Sequence, residues 1–260
     1  MAAQFSPTRV TLAVLFALPV VSASAAFGSE TIKVENYPAL NEQLQSGDIT
    51  YVVESGDALL ASSGSISIDG SGHSLTLKAE AGRGAGVSGE AQVSLSNVKD
   101  LTIAGSKYSL VAVSSGEGSV ALGQEAGCLE KLTLLGEAQS QGAAVTIYAK
   151  STEVDGSLTG GFVFKKIDGV EQTLTATKIS SSPWKDKIAT DFVVESGTIK
   201  TSSIEGNIHQ VFLGKEDSAL SGLYGLDENT APSVFVRNNA KLSGYVDDAH
   251  VASISQERGA

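Results

Sequence analysis

The 260-residue sequence predicts an all-β solenoid. Leu75-Thr76-Leu77, Leu101-Thr102-Ile103 and Leu132-Thr133-Leu134 repeat one apolar-polar-apolar cadence at intervals of 26 and 31 residues. A period of two marks a strand with one buried face, and a glycine-rich, turn-prone stretch follows each segment. No proline lies between residues 39 and 182, which leaves a long backbone ladder unobstructed. A chain that repeats strand and turn in this way buries its apolar edges on neighbouring coils.

Residues 1–26 read as an export signal rather than as part of the fold. Arg9 supplies the positive start, residues 10–21 form an apolar run broken by Thr11 and Pro19, and Ala23-Ser24-Ala25 or Ser24-Ala25-Ala26 offers a small-residue cleavage site. The run is too short for a transmembrane helix, which needs about 20 apolar residues, and no later segment is apolar for long enough. The domain therefore spans residues 27–260. An exported location is expected, extracellular or at the cell surface, with the periplasm as the other possibility.

Ile32-Lys33-Val34 is a brief strand, followed by the one helix pattern, over residues 37–46. Asn36 can cap it, Pro38 sits where its missing N–H costs nothing, and Gly47 suits the C′ position. Tyr37, Leu40 and Leu44 share a face. Such a helix would cover the open end of the apolar column. Strand patterns then follow at residues 49–53, 66–68, 75–77, 93–95, 101–103, 110–113, 119–122 and 144–148. Asp168-Gly169 lies between Phe162-Val163-Phe164 and Thr173-Leu174, so an antiparallel hairpin is expected near 162–178, within an excursion over 162–190 that ends in a loop carrying Trp184. Strands resume at 192–194, 198–199, 208–213 and 234–236, and the section over 238–246 again alternates.

Ile68-Asp69-Gly70-Ser71-Gly72-His73-Ser74-Leu75-Thr76-Leu77, with the helix-then-strand arrangement before it, resembles the first coils of pectin-lyase-like right-handed parallel β-helices. The acidic, Gly/Ser-rich, cysteine-poor composition resembles bacterial autotransporter passengers and surface adhesins. The resemblance implies a right-handed parallel β-helix behind a short N-terminal capping helix. It covers residues 30–150, and its motifs speak for fold rather than chemistry. The polar end, residues 255–260, lacks the aromatic-terminated strands of the membrane barrel that such passengers carry. A passenger without its barrel, or a chain exported by itself, is expected.

The formal net charge is −11, and removing Arg9 makes it more negative still. An acidic surface argues against nucleic acid as a partner. Glycans or surface proteins of a host or microbe are the expected partners. Cys128 is the only cysteine, so no internal disulfide is possible, and its place beside Leu129 suggests a small buried hydrophobe. Gly84-Ala85-Gly86-Val87-Ser88-Gly89 matches G-x-G-x-x-G in form, but the alternating run after it gives no helix to hold a pyrophosphate. A flexible loop that lengthens one coil is expected there instead. His73 reads as a hydrogen-bonding turn residue, and Trp184, Tyr148 and Tyr245 could stack on sugars if exposed together.

Asp247, Asp248 and His250 form the one cluster with acid–base potential. Paired carboxylates can protonate a glycosidic oxygen and activate water, so an alternative enzyme, a polysaccharide lyase or glycoside hydrolase, would rest on them. The motifs for cofactors and metals are missing, and neither is expected. The principal expectation is a non-catalytic surface protein that binds partners or acts as a structural surface element.

Overall fold

The structure is a computed structural model that describes residues 37–114, 116–180, 192–205, 210–221, 233–237, 241–242 and 253–257. Several expectations lie outside these residues: the leader over 1–26, Ile32-Lys33-Val34, Asn36, Trp184, Tyr245, and the Asp247, Asp248 and His250 cluster. One helix, α1 (Tyr37–Leu44), precedes the strands. These are β1 (Ile49–Val53), β2 (Leu59–Ala61), β3 (Ser65–Asp69), β4 (Leu75–Ala79), β5 (Ala85–Ser88), β6 (Gln92–Ser96), β7 (Asp100–Val113) and β8 (Ser119–Leu122). They continue with β9 (Leu129–Ile147), β10 (Ala149–Phe164), β11 (Thr173–Ser180), β12 (Phe192–Glu205), β13 (Gln210–Ser221), β14 (Ser233–Arg237), β15 (Lys241–Leu242) and β16 (Ser253–Glu257).

Every pairing between these strands is parallel, and together they make one curled, half-barrel-like sheet compatible with a β-helix-like solenoid. The register resolves it into three columns of stacked rungs. In the first, Ile49, Leu75, Leu101 and Leu132 stand directly over one another, followed by Thr152, Leu174 and Ile199. The Leu-Thr-Leu cadence is thus one rung of three successive coils. In the second, Leu59, Ala85, Leu110, Ala138, Leu158 and Ile179 align. In the third, Ile66, Val93, Val120, Val145 and Phe162 align.

The alternation explains the core. Leu75, Leu77, Leu101, Leu132 and Leu134 have no exposed surface at all, while Thr76, Thr102 and Thr133 between them stay half-exposed. Each rung hands its apolar face to the same interior, so one contiguous core runs through the coils, and burial at about 25 cal/mol per Å² is its driving force. The rings of Phe164 and Phe192 meet there, tilted at 51° with centroids 5.6 Å apart. α1 lies over β3 with Leu40 and Leu44 buried and Tyr37 packed on the core. It ends at Leu44, two residues earlier than the sequence suggests, and Gly47 does not adopt the left-handed conformation expected of a C′ glycine.

The structure corrects three further expectations. Asp168-Gly169 does form a turn, with Gly169 at φ 73° and Val170 N donating to Ile167 O (3.3 Å), but it does not join antiparallel strands. β11 instead lies parallel to β10, with Thr173 opposite Ser151 and Leu174 opposite Thr152. The coils above and below already satisfy each strand, so the chain circles on to the next rung instead of folding back along the last. Of the excursion foreseen over 162–190, residues 162–164 and 173–180 are ladder strands, 165–172 are a connecting loop, and 181–190 lie outside the described residues.

The second correction concerns residues 84–89. Far from a flexible loop, Ala85–Ser88 is a rung of the second column, paired with both β2 and β7. Its flanking glycines are there because backbones crowd: a Cβ on Gly84 would lie 2.7 Å from Ser109 O, and one on Gly82 only 1.9 Å from Gly56 O. These residues do not lengthen their coil either. Ile49 to Leu75 and Leu75 to Leu101 are equal steps, and the longer one falls between Leu101 and Leu132. Third, Cys128 is half-buried rather than buried.

Candidate functional site

The corner where the third column turns into the first carries the most structured polar surface. The turn after β3 passes through Ser71 at φ 49°, and the turn after β6 through Asn97 at φ 52°. Asn tolerates this left-handed region because its short side chain bonds locally. Asp69 Oδ1 accepts from Ser71 N (2.9 Å) and from Asn97 Nδ2 (3.1 Å), and Asp69 N donates to Asn41 Oδ1 (2.9 Å). A polar stack, Asn41, Asp69 and Asn97, therefore links the helix to the first two coils. Gly70 and Gly127 let the turns nest: a Cβ on Gly70 would lie 2.6 Å from Val98 Cγ2, and one on Gly127 2.6 Å from Asn97 Oδ1.

These turns wall a cleft of about 540 Å³, open to solvent. Asp69, Ser71, Asn97, Lys99, Cys128 and Glu130 line it together with buried Val98. The volume falls within the range of small-ligand sites, about 300–1,000 Å³. Glu130 is paired with Lys150 Nζ at 2.6 Å, and that hydrogen bond raises the lysine's pKa above its ordinary value. Glu130 N also takes Lys99 O, at 2.7 Å. Next to this corner His73 behaves as expected of a turn residue. Its N–H donates to Gly70 O (2.8 Å), its carbonyl accepts from Lys99 N (2.9 Å), and Nδ1 lies 3.6 Å from Asp48 Oδ1.

The lateral face of the first column is a second ordered surface. Thr50, Thr76, Thr102 and Thr133 occupy one register position on four successive coils, followed by Glu153 and Thr175. Lys131 bridges to Glu153 at 2.7 Å beside them. Elsewhere Asp57 and Arg83 form a two-toothed ion pair, with Nη2 to Oδ2 at 2.8 Å and Nε to Oδ2 at 3.1 Å, that joins consecutive coils rather than facing a cavity.

Among the described residues no group of three or more His, Cys, Asp or Glu is arranged to hold a metal ion. Nor is any helix long and apolar enough to cross a membrane. The sequence singled out His73 but missed the corner around it. Asp69 ends β3, Asn97 follows β6 and Glu130 stands near the start of β9, and only the coil repeat brings them together. Tyr148, expected with Trp184 and Tyr245 as a stacking group, is half-buried between β9 and β10, and its backbone binds Leu122 and Leu129. Comparison with protein-family models, curated proteins and solved structures finds no match to this chain.

Proposed function

We propose that this chain is an exported surface protein, a right-handed parallel β-helix of pectin-lyase-like build akin to autotransporter passengers and adhesins, which binds partners through its lateral surface without catalysis. Right-handedness follows from the strong bias of parallel crossover connections. One observation carries the binding reading: the open corner cleft is held in shape by hydrogen bonds that occupy its own acidic groups. Asp69 bonds to Ser71 and Asn97, and Glu130 bonds to Lys150. Such groups present donors and acceptors at fixed positions to whatever enters the cleft.

Among the described residues Leu135 is the one exposed large hydrophobic side chain, so the described surface offers polar groups rather than an apolar patch. Mixed donors and acceptors over a small apolar base suit a hydroxyl-rich ligand such as a glycan, or a polar protein surface. Binding of the purified chain to a panel of glycans and matrix proteins, alongside a whole-cell accessibility assay, tests the reading. Lys99→Glu and Asn97→Asp should each weaken binding at least fivefold while the fold is retained. Cleavage of a polysaccharide that disappears in Asp248→Ala would replace the reading with the enzyme built on Asp247, Asp248 and His250.

A further inference from the structure

The outward face of the first column spans the rungs of β1, β4, β7, β9, β10 and β11, and a file of side chains flanks its threonines on each side. On one side Val52, Lys78, Ala104, Leu135 and Asp155 stand in register on successive coils. On the other side Asp100 stands in register with Lys131. Leu135 is 41% exposed, while Ala104 beside it lies outside the interior core and is only 9% exposed, a hollow next to a knob. The charges are unevenly partnered. Lys131 bridges Glu153 at 2.7 Å and Lys78 bridges Glu80 at 3.2 Å, whereas among the described residues Asp100 and Asp155 have no cation partner.

We propose that this face binds a second copy of the chain about a two-fold axis parallel to the strands, midway between the β7 and β9 rungs. Rotation about that axis keeps the strand direction and reverses the order of rungs, so β7 meets β9, β4 meets β10 and β1 meets β11. Each file then meets itself. Asp100 faces Lys131 of the second copy, Lys78 faces Asp155, Leu135 faces Ala104 and Thr102 faces Thr133, and every contact occurs twice. A leucine facing an alanine suits the spacing of about 10 Å at which aligned sheets pack. An axis along the stack would reverse the files instead, setting Leu135 against Lys131 and Ala104 against Asp100. Charge complementarity therefore selects the first axis. Six rungs of five residues make a face of about 29 by 16 Å, so on the order of 900 Å² is buried in total. Stable complexes bury about 1,200–2,000 Å², which makes this a transient dimer, populated as concentration rises. The contact is independent of whatever the corner cleft binds.

Sedimentation equilibrium of the purified full chain over a concentration series is the test. The native chain should show a monomer–dimer equilibrium that weakens as salt is raised. Leu135→Asp sets a charge against the Ala104 hollow and should leave only monomer, with the unfolding midpoint at its native value because the side chain is exposed. Lys78→Asp and Asp155→Lys should each weaken association about tenfold or more, and the two together should restore it to within about threefold. A native chain that stays monomeric throughout, or a dimer that Leu135→Asp leaves intact, would overturn the proposal. A double reversal that fails to rescue association would refute the axis and the pairing with it.

Discussion

Single side chains do much of the work of joining coils. Gln172 is almost fully buried in the loop between β10 and β11, and its amide makes three bonds. Oε1 accepts from Ile167 N (2.9 Å), and Nε2 donates to Ala149 O (3.0 Å) and Lys165 O (2.9 Å). Gln172→Leu should cost about 2–4 kcal/mol in urea unfolding, since it strands several backbone groups away from water. Gln43 presents the reverse case. Its Oε1 is buried in α1 without a hydrogen-bond partner, so Gln43→Met should stabilise the chain by about 1 kcal/mol in the same measurement. The Lys150–Glu130 pair is partly exposed, and its effect on stability follows from sign rather than size. A lysine pKa raised on folding contributes below the lysine's unfolded pKa and is lost as pH climbs through the folded one. Alkaline unfolding of the native chain and of Glu130→Gln should therefore converge above that range.

At the scale of elements, the two-residue period and the turn residues were readable because each reports a local requirement. Leu132 has no exposed surface and stands in register with Leu101, so Leu132→Ala should cost about 2–5 kcal/mol by thermal or chemical unfolding. Gly160 is stricter. It lies at φ 100° within β10, and a Cβ there would come 1.8 Å from Ser140 O on the coil below. Gly160→Ala should leave the chain unable to close that rung, seen as loss of cooperative unfolding. The hairpin expected at Asp168-Gly169 failed for an instructive reason. The dipeptide fixes a turn, but which strand the chain meets afterwards depends on partners 22 residues back, and Ser151 and Thr152 were waiting in register. The glycines at 84–89 misled in the same way, because their spacing records a backbone crowded by the next coil, a fact absent from the local pattern.

Across the whole molecule, the parallel stacking of like on like was legible, since Leu75, Leu101 and Leu132 carry the same residues at the same rung. The cadence then decays to Thr152-Glu153-Val154 and Leu174-Thr175-Ala176, so the later coils of the first column were hidden from the repeat and became evident only through pairing. The candidate site was less legible than the fold. It is built from corners, where no period applies, and its residues stand a full coil apart in sequence. The architecture also has a mechanical consequence. The strands lie across the stacking axis, so tension applied to the two chain ends loads the rungs one hydrogen bond at a time and not all together. Pulled in an optical trap, the protein should yield as a staircase at modest force, each step releasing one turn of roughly 20–30 residues, or about 70–100 Å of slack. Anchored at one end against flow, such a chain would act as a shock absorber that pays out length coil by coil.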